Sequence, residues 1–142
     1  AAVERAAQFR AGLAMWRRAP FTGIGPGSYT RVYPDVAYNG WWISRGHAHN
    51  AYVQIAAEQG MIGLGAYLVL WFVQIRRAWR VTTTGGIARW IAIAACATAT
   101  AVAVHECFEY LQVHYLPLHV AAVLALAGVV PQVKPPMQEG VA

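Results

Sequence analysis

Two histidines with one residue between them, His47 and His49, lie in the segment Arg45-Gly46-His47-Ala48-His49-Asn50. Imidazole titrates near neutrality, so such a pair offers a general base or metal ligands. No third ligand stands at suitable spacing nearby, so the sequence by itself predicts no metal and no cofactor. A structural loop histidine is the plainer reading. Upstream lie Arg5, Arg10, Arg17, Arg18 and Arg31. Guanidinium forks suit phosphate or carboxylate, although the same residues could simply form a solvated basic face. Between these groups runs Pro20-Phe21-Thr22-Gly23-Ile24-Gly25-Pro26-Gly27-Ser28. Its glycines alternate, which is not a dinucleotide-binding spacing. They permit tight turns, and could aim backbone N–H groups at an anion. A second polar group gathers His105, Glu106, Glu109, His114 and His119. His105 and Glu109, one helical turn apart, are expected to face the same way. That cluster reads either as a divalent-metal site or as interfacial solvation with helix-to-helix hydrogen bonds.

The elements that must hold these residues can be read from periodicity and punctuation. Apolar residues recur at helical spacing over 3–19, and Pro20 stops the pattern. Arg10 and Arg17 fall close together on that helix, whereas Arg5 and Arg18 lie elsewhere. Asn50 is a good N-cap for a helix over 51–59, with Gly60 ending it. His49 then stands just outside a helix N-terminus, whose positive end favours the neutral imidazole that a base requires.

Composition places all of this at a membrane. Of 142 residues, 58% are hydrophobic and only 12% charged, about half the usual share for a soluble domain, and this excludes disorder. Six Trp and seven Tyr suit interfacial anchoring. Three spans are expected: 61–75 extended by 76–79, then 87–104, then 113–130 interrupted by Pro117 and His119. The runs are apolar on every face, which argues against a buried hairpin of a soluble protein. The connector 76–89 holds Arg76, Arg77, Arg80 and Arg89, while 105–115 holds no Lys or Arg. The positive-inside rule therefore puts 76–89 and the tail 132–142 in the cytoplasm, and 1–60 and 105–115 outside. Cys96 and Cys107 would be separated by roughly 16 Å of helix rise, too far for a disulfide. The chain opens at Ala1, shows no signal peptide, and is read as part of a longer protein.

The order of these motifs resembles a known family. Arg5 is followed by Pro20-Phe21-Thr22-Gly23-Ile24-Gly25-Pro26-Gly27-Ser28-Tyr29 and Tyr33, then by His47-Ala48-His49-Asn50-Ala51-Tyr52-Val53-Gln54. Glu58-Gln59-Gly60-Met61-Ile62-Gly63-Leu64 completes it. Over about 3–75 the chain is similar to the outer loop and following helix of the O-antigen ligase and O-antigen polymerase superfamily. The resemblance implies an all-α integral membrane protein: about three transmembrane helices after a mostly helical periplasmic loop, within a larger polytopic GT-C-like fold. It implies a site on the periplasmic side of the bacterial inner membrane.

The implied activity is inverting, metal-independent glycosyl transfer from a polyprenyl-diphosphate-linked glycan to a hydroxyl. The acceptor would be a lipid A-core sugar, a growing polysaccharide or a protein, and nucleic acid is not a partner. The family histidine falls on His49, the expected general base. The family arginine falls on Arg5, expected to grip the diphosphate, with Arg10 and Arg45 in support. His47 and Asn50 are expected to line the substrate site, with His47 the second choice as base or the residue that orients His49. The competing expectation is a non-catalytic membrane module that binds anionic lipid or glycan through the same Arg-rich loop.

Overall fold

The computed structural model describes residues 2–38, 40–83, 85–110 and 121–125. Among them are helices α1 (Ala2–Arg18), α2 (Tyr29–Val32), α3 (Ala51–Val81) and α4 (Gly86–His105), with a 3-10 turn at Tyr33–Asp35 between α2 and α3. All regular structure among the described residues is helical. The expected span 113–130 lies outside the described residues except for 121–125, which are helical. His114, His119 and the tail 132–142 lie outside them altogether.

α1 packs across α3. Gly12 makes this possible: a Cβ there would stand 2.8 Å from Cγ1 of Val53. Ala11 and Met15 of α1 join Tyr29, Tyr33, Ala48 and Ala57 in one buried cluster. Burying such side chains is worth about 25 cal/mol per Å² of apolar surface. Gln8 is fully buried in the same region, and its polar atoms are all used. Its amide nitrogen donates to the Tyr33 hydroxyl at 3.0 Å and to the Ile43 carbonyl at 3.1 Å, and its amide oxygen accepts from the Arg45 N–H at 3.3 Å. One buried amide thus fastens the loop before the histidines to α1.

α3 is two helices joined by a break at Gly60, whose φ of 66° and ψ of −166° are not helical. A break inside a helix orphans carbonyls before it and N–H groups after it. The glycine turn supplies partners for both. Ile24 and Gly25 donate N–H to the carbonyls of Ala57 and Glu58, each at 2.9 Å. The carbonyls of Pro20 and Phe21 accept from Met61 at 2.8 Å and Ile62 at 3.2 Å. The fit is close. A Cβ on Gly23 would lie 2.2 Å from the Glu58 backbone, and one on Gly60 would lie 2.2 Å from the Phe21 carbonyl. With φ of 71° and 66°, both positions call for glycine on conformational grounds as well.

Beyond the break, α3 continues to Val81, about 30 Å at ~1.5 Å per residue, enough to cross a bilayer. The sequence ended its apolar core at 75, and the helix runs through the arginines 76, 77 and 80. α3 and α4 are the two described helices long and apolar enough to cross a membrane. Only 28% and 22% of their most apolar windows are buried, whereas a core helix of a soluble protein would be mostly covered. Leu68, Leu70, Phe72, Ile87 and Trp90 all stand exposed. The two helices meet through small residues: Ala78 packs with Ala92, Ala95 and Ala99, and Leu124 joins them. Close approach of backbones through alanine is how helices gain contact where lipid is the solvent.

Candidate active site

His49 stands between the loop and α3. Asn50 is the N-cap, its side-chain oxygen accepting from the Val53 N–H at 2.8 Å. The other end of the same amide donates to the Cys107 carbonyl at 2.8 Å, and the Ala51 N–H donates to the Glu106 carbonyl at 2.9 Å. The first turn of α3 is thereby stapled to the turn that follows α4. His49 has a φ of 53°, the one positive value among described non-glycine residues. Histidine tolerates that region better than most residues, yet it still costs on the order of 1–3 kcal/mol. The loop is held in place by the Ala48 N–H donating to the Gln54 side chain at 2.9 Å and the His49 N–H donating to His47 Nδ1 at 3.2 Å.

The staple delivers Glu109 to the histidines. Its Oε1 lies 2.8 Å from His49 Nδ1 and 3.8 Å from His47 Nδ1, and its Oε2 lies 3.2 Å from the Arg5 guanidinium. One carboxylate therefore joins a loop imidazole to an α1 guanidinium. Burial works to raise the Glu109 pKa, but hydrogen bonds from His49 and the Tyr110 N–H, with the charges of His49 and Arg5, hold it below the usual carboxylate range. The Glu109 side chain is 25% exposed and those of His47 and His49 about as little, while Arg5 is 55% exposed. The guanidinium can thus touch Glu109 and still reach solvent. The rings of His47 and His49 meet edge to face, 4.3 Å between centroids, and Tyr110 lies against His47 at 5.8 Å.

Among the residues singled out from the sequence, Arg5, His47 and His49 meet on Glu109. Arg45 is drawn to α1, where its Nε bonds the Glu4 carboxylate. That hydrogen bond is the main cause holding Glu4 below its ordinary pKa. Arg10 lies over the Tyr38 ring at 5.4 Å from its centroid. Asn50 spends both ends of its amide on the cap and the staple. α4 ends at His105, which is exposed, and Glu109 follows one turn later, its N–H donating to the His105 carbonyl at 3.1 Å and its carboxylate reaching His49. Glu106 faces inward, 1% exposed, and accepts from the Tyr67 hydroxyl.

Glu109, read from the sequence in a separate polar cluster that topology puts on the same side as the loop, meets His49 across 60 residues, a contact that the spacing near His49 did not reveal. Glu58 is a second residue whose partners the sequence did not reveal. The anion gathered by the glycine turn is its own carboxylate, which accepts from the Gly27 and Tyr29 N–H groups at 3.0 Å each.

No curated protein matches the chain. Residues 1–68 match the family model described as O-antigen ligase. That stretch carries α1, the glycine turn, the histidine loop and the start of membrane-type helix α3, and the match supports membership of the chain in the O-antigen ligase and polymerase superfamily.

Proposed function

We propose that the chain carries the catalytic centre of a glycosyltransferase that moves a glycan from a polyprenyl-diphosphate lipid to a hydroxyl acceptor. The acceptor is a lipid A-core sugar, a growing polysaccharide or a protein side chain. The observation that carries this reading is the convergence of His49 and Arg5 on the two oxygens of Glu109, at 2.8 and 3.2 Å.

In this reading the Glu109 carboxylate orients His49 by holding a proton on Nδ1, which leaves the lone pair of Nε2 for the acceptor. Nε2 takes the hydroxyl proton as the acceptor oxygen bonds to the anomeric carbon. The bond from that carbon to the diphosphate oxygen breaks on the opposite face, so the anomeric configuration inverts. Arg5, partly exposed beside Glu109, offsets the charge that develops on the leaving diphosphate. His47 packs edge-on against His49 and helps hold its plane. The chemistry asks for no metal ion, because a guanidinium supplies the positive charge. The centre lies on the periplasmic side of the inner membrane, with 1–60 as the outer loop, three spans over 61–131 and the tail 132–142 in the cytoplasm.

The test is His49→Ala in the whole protein, assayed for glycan transfer from the lipid-linked donor. Loss of a general base lowers the rate by about 10²–10⁴-fold. Transfer at the wild-type rate overturns the assignment. Donor binding by wild-type protein with no turnover on any of the three acceptor classes supports the competing, non-catalytic membrane module.

A further inference from the structure

We infer that His47, His49 and Glu109 form a binding site for a single divalent transition-metal ion of the Zn²⁺ type, and that its occupancy shuts the site down. A ring nitrogen from each histidine and a carboxylate oxygen of Glu109 all lie within 4.8 Å of one another. Zinc takes such ligands at about 2.0–2.2 Å in tetrahedral array, which sets neighbouring ligand atoms about 3.3 Å apart. The distances from Glu109 Oε1 to the two Nδ1 atoms, 2.8 and 3.8 Å, straddle that value, and the ion takes the His47 Nδ1 lone pair in place of the His49 N–H that it accepts at 3.2 Å. Two imidazoles and one carboxylate form a borderline-soft set that suits Zn²⁺ better than Mg²⁺ or Ca²⁺, and three protein ligands leave one position for water.

The set is also held before any ion arrives. The two histidines share a loop pinned by Gln54, and Glu109 is fixed by the staple from Asn50 and Ala51 to the turn after α4. Little ordering entropy is then left to oppose binding. Arg5 is the competing cation. It holds Oε2 of Glu109 rather than Oε1, and its side chain is more than half exposed, so it can swing away as the ion enters.

An ion on His49 Nδ1 replaces the hydrogen bond to Glu109, leaves the ring proton on Nε2 so that no lone pair remains for the acceptor hydroxyl, and repels Arg5. The inhibitory consequence rests on the reading of His49 as the general base, whereas the binding site does not. Zinc is therefore an inhibitor of this centre and not its cofactor.

The experiment titrates the whole protein in lipid nanodiscs with Zn²⁺ against a chromophoric chelator, and separately with Co²⁺, followed by its visible absorption. One ion per chain is expected, with a tetrahedral Co²⁺ spectrum. His47→Ala and Glu109→Gln should each weaken binding by roughly tenfold or more, since even outer-shell partners are worth about 10–100-fold. His105→Ala, at an exposed residue outside the cluster, should bind as wild type. Arg5→Gln should bind Zn²⁺ more tightly. Wild-type affinity in both His47→Ala and Glu109→Gln, or equal weakening in His105→Ala, overturns the site. A parallel transfer assay with added Zn²⁺, reversed by chelator, tests the consequence separately. Stoichiometric binding at the three residues without inhibition leaves the metal site standing and removes His49 from the chemistry.

Discussion

A carboxylate that accepts from an imidazole on one oxygen and lies against a guanidinium on the other fixes the distance between the two groups, as Glu109 does for His49 and Arg5. In the proposed mechanism its role is to position His49, and the prediction at this scale concerns Glu109→Gln, which keeps the shape and removes the charge. A hydrogen bond to a charged group is worth about 1.5–3 kcal/mol, so transfer should fall by about 10–100-fold. Thermal melting should stay near that of wild type, because the carboxylate is part-exposed and the staple uses backbone atoms of Glu106 and Cys107 instead. An unchanged transfer rate would show that His49 needs no orienting partner. The positive φ of His49 belongs to the same picture: the loop accepts local strain in order to point one ring at a distant acid.

At the scale of elements, the break in α3 explains the glycine turn. A continuous helix from 51 to 81 would carry the chain straight out of the loop into the membrane-type segment. With the break, the amphiphilic start of α3 packs on α1, and the apolar remainder sets off on its own. The turn 20–29 closes the gap with four backbone bonds and two more to the Glu58 carboxylate. Gly60→Ala should therefore be costly. The new Cβ would meet the Phe21 carbonyl at 2.2 Å on a backbone whose φ is 66°. Alanine forced into a left-handed position loses more than about 1 kcal/mol even without a clash. The measurement is the melting temperature of the detergent-solubilised protein, and a wild-type value would mean that the break relaxes into regular helix without harm.

For the whole molecule, the question is which side of the membrane holds the site. α3 leaves the loop, α4 returns, and the turn after α4 meets the start of α3 through Asn50 and Ala51. The loop and Glu109 must therefore lie on one side, whichever side that is. The arginines at 76, 77, 80 and 89 sit at the opposite end and favour the cytoplasm. Cys107, exposed in the turn beside the site, offers a probe. In intact spheroplasts a membrane-impermeant maleimide should label Cys107. It should not label a cysteine introduced by Thr83→Cys in a Cys107→Ser background until the cells are permeabilised. The reverse pattern would place the site in the cytoplasm and end the proposal of a periplasmic reaction.

Much of the element layout was written in local sequence. The helix read over 3–19 is observed as Ala2–Arg18, the cap at Asn50 and the break at Gly60 stand where the residues put them, and the span read over 87–104 is observed as Gly86–His105. These follow from short-range effects: apolar periodicity, a side-chain cap, and the freedom of glycine at positive φ. The assembly of the site was not local. Nothing near His49 announces Glu109, and nothing in Pro20–Ser28 announces that its amides serve the frayed middle of α3 and the carboxylate of Glu58. Those pairings depend on α4 running back beside α3 and on α1 lying across it. Only the packed helices bring such distant side chains within hydrogen-bond reach, because contact between remote residues is set by how whole elements stack and not by the identity of their neighbours in the chain.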